Sequence, residues 1–334
     1  MQHLIQENVP LHDKNWFQTG GAARYCAQPV NEIEFQHAVT FAQENNLPIF
    51  VLGQGANILI SDAGFEGLVI RPQLQAITHV DEGEHVLVTV GAGMTLHDLI
   101  EHCLENQWGG LEEFSGIPGT VGGSVYINLH YFEFLLEHFL VGGRVLNHTT
   151  GNVLDVPAGW FQFGYDQSKL MEKEHFLLSA TFKLKKISRE QAVFARGRRV
   201  EIIRHRAKRY PTHHTCGSFF RNFHEDEVTL ESAGKKMIFV AYYLDKLGVK
   251  GALRSGAAIV SWQHANMIVN TGTATSKDII DLVRKMQELT YQHFGVLPQP
   301  ECQLIGFTKY PLYTLQNLPI SQAAKDTAAC AVVR

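Results

Sequence analysis

The spacing of apolar and polar positions changes along the chain, and each change marks an element. A helix is expected at residues 31–46, followed by an apolar strand at 48–52 and further strands at 67–71 and 85–90. A second helix is expected from Thr95, where Thr95-x-x-Asp98 is a capping-box pattern whose hydroxyl and carboxylate satisfy otherwise orphaned N–H groups. Between His175 and Lys186, Leu178, Ala180, Phe182 and Leu184 alternate with Ser179, Thr181, Lys183 and Lys185, which predicts a half-buried strand. Residues 191–209 turn basic and helical, with Arg196, Arg198, Arg199, Arg204, Arg206, Lys208 and Arg209, and are read as the passage into a second domain. A last helix starts at Thr275-x-x-Asp278, buries Ile279, Leu282, Val283, Met286 and Leu289, and stops at Gly295. Beyond Gly306 the periodicity is lost, so 307–334 is expected to be a surface-wrapping or frayed tail.

Composition narrows the class. At 334 residues the chain exceeds the usual size of one core, which predicts two or three domains. Its 45% hydrophobic and 19% charged residues are those of a soluble globular enzyme, and no apolar stretch approaches the roughly 18 residues of a membrane span. The opening Met-Gln-His-Leu-Ile-Gln-Glu-Asn has neither a basic nor an apolar run, so no signal peptide is expected and a cytoplasmic location follows. Cys26, Cys103, Cys216, Cys302 and Cys330 are scattered without a C-x-x-C, as reduced and mostly buried thiols would be. The pair His213-His214 near Cys216 lacks a second pair of ligands, so no metal site is expected. A net charge of −4 argues against a general nucleic-acid partner.

Two loops carry the candidate chemistry. In Gly116-Ile-Pro-Gly-Thr-Val-Gly-Gly123, four glycines and a proline strip side-chain bulk from the backbone, which suits close approach of a pyrophosphate. A loop of the same character, Gly53-Gln-Gly-Ala-Asn57, follows the strand at 48–52. Glycine runs also serve simply as tight turns. Two phosphate-sized loops predict a large nucleotide cofactor. Neither loop is a G-x-G-x-x-G between strand and helix with an acidic residue about twenty positions on, so a standard dinucleotide-binding domain is disfavoured.

Read in order, Asn15-Trp-Phe-Gln-Thr-Gly-Gly-Ala-Ala-Arg24, the two glycine loops, Gly64-Phe-Glu-Gly67, Cys216-Gly-Ser-Phe-Phe-Arg-Asn222, His264-Ala-Asn266 and Pro300-Glu301 resemble the MurB family of cell-wall flavoenzymes, the UDP-N-acetylenolpyruvoylglucosamine reductases. The resemblance runs along most of the chain. It implies an α+β fold: an FAD-binding domain of the vanillyl-alcohol-oxidase/MurB type at 1–190, in two subdomains of roughly 1–72 and 73–190, then a smaller substrate-binding domain at 191–306 and the tail at 307–334. FAD would be held by Gly53, Gln54, Gly55, Ala56 and Asn57, and by Gly116, Ile117, Pro118, Gly119, Thr120, Gly122 and Gly123.

By the same resemblance, Ser218 is the proton donor that quenches the carbanion or enol left when hydride reaches C3 of the enolpyruvyl group. A serine between Gly217 and the paired aromatics Phe219 and Phe220 can be held exposed toward a substrate. Glu301, on a segment stiffened by Pro298 and Pro300, matches the family's active-site glutamate, whose pKa burial or an anionic neighbour should raise. Arg209, Arg221 and Asn222 match positions near the UDP pyrophosphate, and an arginine fork suits phosphate. His264 and Asn266 read as framework.

Two stretches depart from the family. In Gly164-Tyr-Asp-Gln-Ser168, Tyr165 and Ser168 are kept with the active site, but Asp166 stands where the resemblance implies a catalytic arginine. Losing a preorganised charge typically costs ~10²-fold or more in rate, so either another arginine supplies it, with Arg144 or Arg254 the nearest candidates, or the chemistry has weakened or changed. Asn128-Leu-His-Tyr-Phe-Glu133 replaces a run of small residues near the flavin or the substrate entrance. The expected protein is an FAD- and NADPH-using reductase of a UDP-sugar, a monomer or weak dimer with no nucleic-acid or membrane partner. The alternatives are an FAD oxidoreductase of the same fold acting on another sugar or alcohol, and a catalytically weakened flavin- or UDP-sugar-binding protein.

Overall fold

In a computed structural model, residues 4–319 are described, and they fold into two compact α+β units. The first contains residues 4–9, 23–55 and 65–206; the second contains 10–22, 56–64 and 207–319. Unit membership therefore follows five crossings of the chain rather than a single cut.

The first unit is built on two larger sheets. Helix α1 (Glu32–Glu44) starts where the Asn31 side chain accepts the Glu34 N–H at 2.9 Å, and its spacing turns Phe35, Ala38, Val39 and Ala42 inward. It connects strands Ala22–Ala27 and Ile49–Val51, both parallel to Phe65–Ile70, and Ile5–Pro10 completes this sheet at its edge. The other sheet runs Val153–Pro157, Leu140–Asn147, His175–Lys186, His85–Gly91, Ile77–Glu82, antiparallel throughout. Its central strand buries Leu178, Ala180, Phe182 and Leu184 as their alternation predicts, and Thr181 meets Thr89 across the ladder with hydroxyl oxygens 2.8 Å apart.

Helices α2 (Leu96–Glu105) and α3 (Val121–Tyr126) add Leu96, Leu99, Ile100, Val121 and Val125 to the core of that sheet. At the start of α2, the Thr95 hydroxyl accepts the Asp98 N–H and donates to the Asp98 carboxylate, so only half of the expected capping box forms. Helix α4 (Arg189–Arg209) is basic but not simply solvated. Arg199 is buried, with Nε donating to Ser115 Oγ at 3.1 Å and its guanidinium paired with Glu101 and close to His97 Nδ1.

The second unit is built on a three-stranded antiparallel sheet, Arg254–Ser255, Ala258–Val260 and Ile268–Asn270, with helices α5 (Val240–Lys246) and α6 (Ser276–Phe294). Phe17 and Leu59 are fully buried in its core beside Phe219, Tyr243 and Val283. The early segments are also tied in by polar contacts: Asn270 Nδ2 donates to Phe17 O at 2.7 Å, and Gln303–Ile305 runs parallel to Ile58–Ile60. Past Gly306, Arg284 and Gln287 of α6 donate to the carbonyls of Pro311 and Tyr313, and Leu312 is buried, so the described part of the terminal segment is packed on α6. Residues 320–334 lie outside the described residues.

Helix α6 ends as the sequence predicts. Thr275 and Asp278 bond each other's backbone N–H groups, and Gly295 closes the helix at φ +71°. Thr275→Ala is expected to cost about 1 kcal/mol, read as a lower urea midpoint at unchanged slope.

Candidate active site

In the first unit, the two glycine loops meet. A Cβ on Gly53 would stand 2.6 Å from Thr120 Oγ1, and one on Gly122 would stand 3.0 Å from Ala92 O, so only glycine allows these approaches. Gln54 Oε1 accepts the Gly119 N–H at 2.7 Å, locking one loop to the other. Most N–H groups of 119–123 are thereby consumed: Val121 donates to Met94 O, Gly122 to Ala92 O, and Gly123 to the Thr120 hydroxyl that caps α3. Among the described residues, no hydrogen bond engages the N–H groups of Gly53, Gln54 or Gly55. Uncrowded backbone plus spare donors fit a diphosphate-bearing cofactor such as FAD. Ile117 packs, partly buried, against the core at the loop's start, and Arg206 Nε donates to Gly116 O at 3.3 Å.

The two departures noted in the sequence come together in this unit. Gly164 and Gln167 close a tight loop by hydrogen bonds in both directions, lifting Tyr165 and Asp166 at its tip. Ser168 Oγ donates to Tyr126 O at 2.6 Å and Asn128 Nδ2 to Gly164 O at 3.1 Å, which dock the loop against the stretch that follows α3. That stretch forms a hairpin pairing His130 with Leu135 and Tyr131 with Phe134. His130 Nδ1 lies 3.2 Å from Asp166 Oδ1, and its ring packs 4.9 Å from that of Tyr165. Arg144, expected to replace the absent arginine, is bound to Glu32 and Asp155 on the sheet, which removes it from that role. Arg254 is exposed on a two-residue strand of the second unit.

The second unit brings Ser218 and Glu301 onto adjacent backbones. Ser218 bridges Met267, Phe220 bridges Pro300, and the single carbonyl of Phe219 accepts the N–H groups of Glu301 at 2.9 Å and Cys302 at 3.3 Å. Asn266 secures the turn: its main-chain carbonyl takes the Phe219 N–H, while its buried amide both accepts from Phe220 N and donates to Phe220 O. Phe219 and Phe220 are buried and Ser218 is half-buried, following Gly217 at φ +80°. Asn57 joins through Nδ2, 3.4 Å from Glu301 O, and its buried Oδ1 has no partner. Cys216 and Cys302 lie in the same core, and burial, then the neighbouring Cys216, raises the Cys302 thiol well above its ordinary value.

Of the expected phosphate ligands, Arg221 forms a two-pronged pair with Glu227 at 2.7 Å on each arm, which fixes the orientation of its guanidinium and lowers the Glu227 carboxyl. Asn222 follows it, half-buried, and Arg209 is exposed at the end of α4 with its guanidinium over the Tyr210 ring. Tyr210 packs edge-on against His264 at 5.4 Å. Burial, then Arg209 and Lys250, lower the His264 imidazole to about 4, and its buried Nδ1 has no partner. Among the described residues, no group of three or more His, Cys, Asp or Glu could hold a metal ion, and no helix is long and apolar enough to cross a membrane.

Comparison with known proteins finds two matching families along the chain. Residues 23–156 match the FAD binding domain family, and residues 209–305 match the C-terminal domain of UDP-N-acetylenolpyruvoylglucosamine reductase. A Lactobacillus johnsonii protein of the reductase name is 35% identical over 91% of this chain and 96% of its own length. A Synechococcus protein of the same name is 32% identical over 92% and 93%. The crystal structure of the Thermus caldophilus reductase superposes with a TM-score of 0.70 at 28% identity, covering 89% of this chain and 97% of that one.

The neutral His264 has a consequence for stability. The unfolded chain takes up a proton below about pH 6.5, whereas the folded imidazole does so only near 4. Stability should fall by no more than about 3 kcal/mol as pH drops from 6.5 to 4, and His264→Gln should remove most of that loss in urea titrations at the two pH values.

Proposed function

The chain belongs to the UDP-N-acetylenolpyruvoylglucosamine reductase family, and we propose that it reduces UDP-N-acetylglucosamine enolpyruvate to UDP-N-acetylmuramate, with FAD bound and NADPH as reductant. The reaction supplies a peptidoglycan precursor in the cytoplasm. The observation that carries this reading is the joining of the Ser218 and Glu301 segments through the carbonyl of Phe219. It sets a hydroxyl and a carboxyl on adjacent backbone segments whose spacing the main chain fixes. An FAD oxidoreductase acting on other sugars is not favoured, since relatives spanning 91% of the chain carry the reductase name.

Residues of the Gly53 and Gly116 loops hold FAD, which when bound supplies the hydride for C3 of the enolpyruvyl group. Hydride addition leaves negative charge spread from C2 into the substrate carboxylate. Ser218 Oγ donates the proton that quenches C2, and Glu301 polarises the carboxylate side so that charge develops more readily. Arg209, Arg221 and Asn222 take the UDP pyrophosphate, with Glu227 holding the Arg221 fork in one plane.

The test is anaerobic. Flavin reduced with NADPH is expected to reoxidise rapidly on addition of UDP-N-acetylglucosamine enolpyruvate, and a flavin that stays reduced would count against the reading. Ser218→Ala should slow that reoxidation by about 10²-fold or more while leaving reduction by NADPH unchanged. Glu301→Gln should lower the same step without altering the flavin content of the purified protein.

A further inference from the structure

We propose that Gln287 of α6 is a positioning residue for Glu301, tying the described terminal segment to the backbone at Pro298, so that the docked segment sets where the Glu301 carboxyl stands during reduction. The proposal rests on the reductase reading above for the role of Glu301. Every group in it belongs to the second unit.

The sequence places this amide where its helix should be apolar. Gln287 falls four positions after Val283 and three before Thr290, on the face of α6 that also buries Ile279, Leu282 and Met286, and it is fully buried. A buried amide is costly unless its polar atoms are paired. Here Nε2 donates to Pro298 O at 2.9 Å and to Tyr313 O at 3.2 Å, and Oε1 accepts the Tyr313 N–H at 3.0 Å. One side chain thus pairs with Tyr313 as a neighbouring strand would and holds a second segment with its remaining N–H. A methionine would fill similar space with none of these demands, so packing alone does not account for the glutamine.

Both ends of the tie are anchored. On the terminal side, Arg284 Nε donates to Pro311 O at 2.6 Å, its guanidinium lies 5.5 Å from the centre of the Tyr313 ring, and Leu312 is buried in the same core as Val283. On the other side, the Arg221 N–H reaches Gln299 O at 3.0 Å, Phe220 bridges Pro300, and the Phe219 carbonyl takes the Glu301 N–H. Residues 298–301 are therefore held from the Ser218 turn and from Gln287 together. Pro298 has no N–H to give, which leaves its carbonyl as the handle at the near end.

Tyr313 lies beyond residue 305, where the match to the reductase C-terminal domain ends. Gln287 gives that outlying segment a mechanical link to Glu301, three residues from Pro298. Small displacements are enough to matter, since a shift of about 1 Å in a reacting group can cost about 10²-fold in rate.

The experiment measures hydrogen exchange in the holoenzyme over 298–302 and 310–314, and the rates of two half-reactions: flavin reduction by NADPH and reoxidation by UDP-N-acetylglucosamine enolpyruvate. Gln287→Met should speed exchange at Glu301 and Cys302 about 10-fold. It should also lower the limiting rate of reoxidation about 10-fold or more, with the half-saturating substrate concentration and the NADPH step unchanged. Leu312→Ala, which keeps Gln287 and loosens the segment from the core, should show the same pattern more weakly, and carries the test alone if Gln287→Met does not fold. Faster exchange at Tyr313 with none at Glu301 overturns the proposal, as does faster exchange at both with unchanged reoxidation or an equal loss in the NADPH step; each leaves the reductase reading standing. If wild type is not reoxidised by that substrate while exchange at Tyr313 and Glu301 rises together in the variants, the reductase reading fails and the tie between the segments stands. With neither reoxidation nor a joint rise, both fall.

Discussion

The buried side chain of Asn266 is the tie on which the turn carrying Ser218 in the second unit depends. One amide donates to Phe220 O, accepts from Phe220 N, and its own main-chain carbonyl takes the Phe219 N–H. These groups are shielded from water, so each lost bond would leave an orphan costing roughly 1–3 kcal/mol. With the turn so held, Phe219 and Phe220 drive into the core and Ser218 is left at the surface of the turn. The Phe219 carbonyl then gathers the Glu301 segment, so the positions of both groups follow from backbone rather than from flexible side chains.

The first unit reaches its geometry differently, by omission of side chains. Gly53 and Gly122 are needed where another backbone or side chain stands in the place of a Cβ, whereas Gly116 is needed for its φ of +78°. Most donors of the 119–123 stretch are spent on Gln54, on the carbonyls of Ala92 and Met94 and on the Thr120 cap, whereas no hydrogen bond among the described residues engages the N–H groups of 53–55. A glycine-rich run is therefore partly a structural joint and partly a stretch of unspent backbone donors, and the two properties fall on different residues.

Local signals were the legible ones. The alternation in His175–Lys186 and the caps of α6 depend on residues a few positions apart, and the structure keeps them. The strands Arg254–Ser255 and Ala258–Val260 are too short to impose a period. Arg199 read as one of several charges in a basic helical run, because nothing near it in sequence discloses Glu101, His97 or Ser115. The site shows the same limit. Asp166 was visible as a departure, but its partner His130 lies in a hairpin whose fold is set by distant contacts, so the two departures could not be joined without coordinates.

The discontinuity of the second unit bears on how such a protein can change over time. Its core needs Phe17 and Leu59, and its strand Gln303–Ile305 needs Ile58–Ile60 as a partner. The stretch 209–305 that matches a family on its own therefore lacks part of its own interior. It cannot be exchanged between proteins as a cassette. Insertions and deletions are tolerated only where they spare the short early segments, so the N-terminal half of the gene carries constraints imposed by a unit that most of its residues do not belong to.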